Sequence, residues 1–322
     1  MTNNYVYAVA RIRVRENSLL SDADISQMAG MASADAVLDY LIARGWGNAE
    51  SGRDPDAVLQ AESPKNMALM EELGIDKKVF DIFDIPRRYH NLKAGIKEVL
   101  TSDTHDRIFY DIPGFGRKEV TTLLSEKRFA DLPEGMQAPA EEAIDRMVAT
   151  RDGQICDTIV DRACLVAMGE AAGKAGTPVI RDYIRSTIAT ADIRIAVRAA
   201  KIGKSLSFLN EALAPTDAFP VQELAQEAAR GTEALYPYLQ DHGYADAVEA
   251  LKVSPSSFER WCDNCQIEAI KPQKTNPFTS GPIVAFYLAR ENEIKTVRII
   301  LTAKANGFSE DAIRERVREM YV

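Results

Sequence analysis

Along most of the chain apolar residues recur three and four positions apart, while runs alternating apolar with polar residues are scarce, so the pattern predicts an all-α protein. Good helix formers, namely Ala, Leu, Ile, Glu, Arg and Lys, fill these segments. One stretch is ambiguous: Val6, Ala8, Ala10, Ile12 and Val14 alternate as a strand would, yet Tyr5, Val9 and Ile12 also share a helical face. No second strand lies nearby to pair with it, so helix is predicted there too. Breaks rich in Gly, Pro and turn-forming polar residues fall at 45–55, 113–116, 132–139, 173–178, 213–220 and 271–282. Thr177 and Pro178 suit a helix start, Asn306 and Gly307 a helix end, and Ser309 with Glu310 the opening of a last helix.

The helix over 283–301 carries the most specific pattern. At about 100° per residue, Ile283, Tyr287, Ile294, Val297 and Leu301 form one stripe, while Leu288, Ile299 and Ile300 fall well away from it. Such a helix needs neighbours on more than one side. Glu291 and Arg298 flank the stripe two turns apart, with Lys295 four residues after Glu291, and predict a polar seam between packed helices.

A longer repeat overlies this pattern. Asn91-Leu92-Lys93, Asp192-Ile193-Arg194 and Glu293-Ile294-Lys295 each read polar, aliphatic, basic, and the aliphatics stand 101 residues apart both times. An aromatic-bearing stretch with Phe83, Tyr183, or Phe286 and Tyr287 precedes each. A turn follows, and then Phe115, Phe219 or Phe308 opens another charged helix. An aliphatic beside a base recurs by chance in any helix, but the shared turn, Phe and helix argue for triplication. A unit of this length is domain-sized and too long for a solenoid repeat. Three similar helical domains are therefore expected, over 1–125, 126–222 and 223–322.

The 48 Asp and Glu against 39 Lys and Arg give a net charge of −9, which opposes nucleic-acid binding. The longest charge-free stretch, Thr275 to Ala289, contains Pro277 and Pro282 and falls short of the roughly 20 apolar residues that span a bilayer. The first residues reach Arg11 and Arg13 without an apolar core, which predicts a cytoplasmic chain with no secretory signal. Cys156, Cys164, Cys262 and Cys265 are too few for a disulfide scaffold and are expected as reduced, structural thiols.

Chemistry-bearing motifs are weak. Gly203-Lys204-Ser205 has the end of a phosphate loop, but Arg198 stands where the first glycine belongs. Gly114-Phe115-Gly116 lacks the third glycine of a dinucleotide loop, Glu119 occupying that position, and reads as a turn. Cys262 and Cys265 have knuckle spacing without a second close pair of ligands. His90, His105 and His242 fall in different segments. Asp81 with Asp84, and Asp157 with Asp161, are sparser than the aspartate clusters of magnesium-dependent helical enzymes. No catalytic residue, metal site or cofactor is assigned. A helical enzyme using those aspartates or the Cys262 and Cys265 thiols, and a generic helical scaffold, are the competing readings.

The tail Ala289-Arg290-Glu291-Asn292-Glu293-Ile294-Lys295-Thr296-Val297-Arg298-Ile299-Ile300-Leu301, then Lys304-Ala305-Asn306-Gly307 and a terminal helix from Glu310 to Tyr321, resembles the C-terminal signature of the C subunits of V/A-type ATPases. Tyr5 to Arg15, Leu19-Leu20-Ser21 and Asp24 are similar to that family's opening. The eukaryotic counterpart is the d subunit. The resemblance implies three helical domains in a pseudo-threefold funnel, seated between the membrane rotor ring of proteolipid subunits and the shaft formed by the D and F subunits. It also implies torque transmission for proton or sodium transport, no active site, and a place at the cytoplasmic membrane face without a span. Under that symmetry Lys93, Arg194 and Lys295 would be related, and would either line a common axial surface that meets acidic groups of the shaft or be ordinary solvated or salt-bridged helix residues. The Cys262 and Cys265 pair is no part of the family pattern.

Overall fold

The computed structural model describes residues 4–76, 79–101, 103 and 108–322, and among these every regular element is helical. In chain order the helices begin with α1 (Asn4–Glu16), α2 (Asp22–Gly30), α3 (Ala34–Ala43), α4 (Pro55–Gln60), α5 (Glu62–Glu72) and α6 (Asp81–Thr101). There follow α7 (Arg117–Ser125), α8 (Gln137–Thr150), α9 (Gly153–Lys174), α10 (Pro178–Ile202), α11 (Leu206–Ala212) and α12 (Val221–Arg230). The last are α13 (Thr232–Asp241), α14 (Ala245–Val253), α15 (Pro255–Ile270), α16 (Gly281–Ala305) and α17 (Glu310–Arg316). None of the described helices is long and apolar enough to cross a membrane.

The ambiguous stretch 6–14 lies within α1, with Ala8, Val9 and Ile12 buried on one face. Helix starts follow local chemistry. Ser21 and Asp24 form a reciprocal capping box at α2, and Ser309 caps α17 through the N–H of Ala312. Proline in the first turn, where no donor is lost, lets α10 and α16 begin inside segments read as breaks.

Two compact units are present, one of Met1–Lys77, Thr177–Thr187 and Leu239–Val322, the other of Lys78–Gly176 and Ile188–Tyr238. In the first, α16 packs against α1, α3, α5, α15 and α17. Enclosure on several sides explains why Leu288 and Ile300 are buried along with Ile283 and Val297. Ile25, Met28, Leu38, Leu41 and Trp46 meet Val297, Ile300 and Ile313 in one core, so the two ends of the chain share it. In the second unit α6 packs against α7, α8 and α9, and α11 against α9 and α12. Gly95 permits the close approach of α6 to α7: a Cβ there would stand 2.6 Å from Val120 Cγ1.

The terminal helix is shorter than the sequence suggests. It stops at Arg316, and Val317 turns extended. Side chains elsewhere hold the segment: Asp263 takes Arg318 Nε at 2.6 Å, while Asn264 and Asp22 capture the backbone N–H groups of Glu319 and Met320, each at 3.0 Å, which a further turn would use.

Candidate functional site

The repeat defines the most informative set of positions, and its polar residues share a geometry. Asn91, Asp192 and Glu293 are all buried. Each accepts a hydrogen bond from a loop N–H: Asn91 Oδ1 from Tyr110 at 2.8 Å, Asp192 Oδ1 from Ala214 at 3.0 Å, and Glu293 Oε1 from Leu20. The first two loops lead to the buried Phe115 and Phe219 ahead of α7 and α12, and the third leads into α2. Phe308, by contrast, is 45% exposed, so the third repeat differs from the first two at this position. For Glu293 the signal in the sequence is a polar residue interrupting an apolar arc of Phe286, Ala289 and Ile300.

Burial decides the chemistry of the acidic pair. Asp192 is driven up to about 7 by desolvation, opposed by the Ala214 N–H and the charge of Arg162, and its second oxygen is buried without a partner. Glu293 also rises to about 7, because desolvation outweighs Arg290 and the Leu20 N–H. Around Glu293 the Arg290 guanidinium bridges two carboxylates, Glu293 at 2.5 Å and Glu62, and stacks 4.3 Å from the centre of Trp46. Glu62 further accepts from the Gly47 N–H and from Lys65, both at 2.7 Å. Asp24 goes the other way: despite burial, hydrogen bonds from Tyr40 and Ser21 and the charge of Arg44 bring it down to about 2.

Lys93 and Lys295 serve internal pairs. Lys93 meets Asp161 at 2.7 Å and Asp157 at 3.7 Å, with Lys97 reaching Asp157 at 2.6 Å. Lys295 pairs with Asp263 at 2.7 Å, and Asp263 also holds Arg318. Arg194 is half-buried on α10. Glu291 accepts from Ser63 at 2.9 Å and Asn66 at 3.0 Å on α5, and Arg298 reaches Asp56 on α4 at 3.2 Å. The two therefore face different neighbouring helices from opposite ends of one stretch of α16.

The remaining motifs resolve into structure. Asp157 and Asp161 are occupied by lysines, and Asp84 by Arg87 at 3.2 Å. Cys262 is buried, and burial beside Glu268 and Asp246 pushes the half-buried Cys265 up to about 12. His90 donates from Nε2 to the Ile108 carbonyl at 2.8 Å, His242 sits in the turn after α13, and His105 lies outside the described residues. Gly203, at φ +66°, ends α10, and Ser205 caps α11 through the Phe208 N–H, so Gly203-Lys204-Ser205 is an interhelical turn. Gly114 to Gly116 is likewise the turn before α7.

Fold and site together define an all-helical protein whose buried polar groups fasten loops to long helices. A family model described as ATP synthase (C/AC39) subunit matches residues 8–316, and the chain belongs to that family, as do the C subunits of V/A-type ATPases. It is similar to the C subunit of the V-type sodium ATPase of Enterococcus hirae, 22% identical over 317 residues covering 96% of this chain and 97% of that protein. It is also similar to the C subunit of the A-type ATP synthase of Haloferax volcanii, 24% identical over 357 aligned positions covering 97% and 96%. Against that of Methanocaldococcus jannaschii, identity is 21%, over 96% of this chain and 85% of the relative.

Proposed function

We propose that the chain is the non-catalytic central-stalk subunit of a V/A-type rotary ATPase, linking the membrane rotor ring to the shaft formed by the D and F subunits. Its task is to pass torque between them during ATP-coupled proton or sodium transport, at the cytoplasmic face of the membrane. End-to-end similarity to the C subunits of such machines carries this reading. A torque-bearing adaptor must be stiff, and a 25-residue helix packed against α1, α3, α5, α15 and α17 and pinned by the Glu62, Arg290 and Glu293 network meets that need.

The three-domain arrangement about a pseudo-threefold axis belongs to the same proposal, supported by the matched roles of Asn91, Asp192 and Glu293. In it Lys93, Arg194 and Lys295 face the shaft, whose acidic groups compete with Asp161 and Asp263 for Lys93 and Lys295. Reversing all three charges is expected to weaken binding of the purified shaft at low salt more than at high salt; unchanged affinity removes them from the interface.

Purification of the tagged chain from its own cell membranes tests the central reading. Ring and shaft subunits are expected to co-purify, and vesicles containing a complex stripped of the chain should hydrolyse ATP without pumping ions until it is restored. Pumping that persists without the chain removes the connector role.

A further inference from the structure

The second unit contains a cleft of about 480 Å³ between α6, α9, α10 and α11 that the connector role leaves unused. Its floor is one face of α10, where Ile195, Ala199 and Ile202 follow at helical spacing, and Phe208 of α11 also lines it. The apolar floor reaches solvent at Ile202, which is 66% exposed. The walls carry Lys93, Lys97, Arg198 and Lys204 against Asp157 and Asp161, a local excess of positive charge in a chain of net charge −9.

We propose that this cleft is a docking groove for an acidic amphipathic α-helix of another protein chain. An apolar stripe at helical spacing, edged by bases, is the complement of a helix that carries aliphatic residues on one face and carboxylates beside them. Exposing Ile202 to water is unfavourable, and covering it supplies the apolar part of the binding free energy. A small anion fits the cleft less well. Asp161 and Asp157 already engage Lys93 and Lys97, so positive charge on this wall is partly neutralised before any ligand arrives, and the apolar floor would stay wet. The groove goes beyond the connector role, since it specifies the chemistry of one contact whichever subunit supplies the helix.

The test uses the full chain and three hydrocarbon-stapled, fluorescein-labelled helical peptides: a Leu stripe flanked by Glu, the same stripe flanked by Lys, and Ser in place of Leu with Glu retained. Fluorescence anisotropy should show the first binding at least about tenfold more tightly than either other. Ile202→Asp should weaken it by about tenfold or more, and Arg198→Glu, a second substitution at an exposed position, should also weaken it, with thermal midpoints near that of the parent chain. Equal binding of the Leu and Ser peptides would mean that the cleft reads charge alone, and equal binding of the Glu and Lys peptides that charge is irrelevant. Either result overturns the groove, as does unchanged affinity in both variants. Co-purification with ring and shaft but no peptide binding sinks the groove alone, whereas peptide binding without co-purification sinks the connector reading alone.

Discussion

Glu293 accepts a hydrogen bond from the backbone N–H of Leu20, 273 residues earlier in the chain. The bond ties the entrance of α2 to the middle of α16, and so joins the two ends of the sequence within one core. Asn91 and Asp192 make the same kind of bond at their own loops, which gives the period of the repeat a physical meaning. At each repeat a buried polar side chain replaces the water that a loop N–H would otherwise keep.

The three anchors differ in charge, and that difference sets a pH dependence. Asp192 and Glu293 both sit near about 7, above their ordinary values of 3.8 and 4.5, so the folded chain holds their protons more tightly than the unfolded chain does. Their contribution is therefore fullest below about pH 4 and is lost as pH rises through 7. Asp192→Asn, which copies the residue type of the first repeat, should raise stability at pH 8 by roughly 1–3 kcal/mol, with the gain shrinking toward pH 4. Calorimetric midpoints across that range check it, and a gain that grows toward acid contradicts the assignment.

The helices and the positions of the repeat could be read from spacing, because both are local patterns of burial. The roles within the repeat could not. Lys93 and Lys295 stand out as repeated charges, yet their partners Asp161 and Asp263 lie on other helices at no fixed spacing. Asp157 and Asp161 suggest a cation site only while Lys93 and Lys97 are out of view. The end of α17 misleads for the same reason: residues 317–320 have helical composition, but Asp263, Asn264 and Asp22 claim their side chains and N–H groups from elsewhere in the fold. Phe308 shares a sequence context with Phe115 and Phe219, and only burial separates them.

Arg290 should not tolerate lysine. Its planar guanidinium spans Glu62 and Glu293 at once while lying over Trp46, and an ammonium cannot reproduce the two-sided bridge or the stacking. Arg290→Lys leaves one buried carboxylate poorly paired, at a cost of roughly 2–4 kcal/mol. A lowered thermal midpoint is expected, together with faster hydrogen exchange at the Leu20 amide. Exchange there matching the parent chain would separate Arg290 from the anchor.

Two glycines on long helices should respond to alanine with opposite signs. At Gly95 a methyl group would meet Val120 Cγ1 at 2.6 Å and Leu124 Cδ1 at 3.1 Å, so α6 and α7 must move apart. Overpacking of that kind costs about 1–3 kcal/mol, which outweighs a gain in helix propensity of at most about 1 kcal/mol. Gly173, on α9, has nothing within 4 Å of the position a methyl group would take, so Gly173→Ala keeps the propensity gain. Thermal midpoints should therefore fall for Gly95→Ala and rise for Gly173→Ala; a rise in both would mean that the helix contact at Gly95 is looser than its geometry.

Thiol reactivity separates the connector from a cysteine-dependent enzyme. Burial pushes Cys156 up to about 11 and Cys164 and Cys265 up to about 12, and Cys262 is buried. Because the thiolate is the reacting species, these values leave less than about one part in a thousand ionised near neutral pH. Native chain mixed with an aromatic disulfide reagent at pH 7.5 should release little thiolate over minutes, whereas the denatured chain should titrate all four cysteines. Cys265 is the informative one, since it is half-buried and a reagent can approach it more readily than the other three. Rapid stoichiometric reaction at Cys265 in the native chain would mean that its thiol is activated despite its acidic neighbours Glu268 and Asp246, and would reopen the catalytic reading.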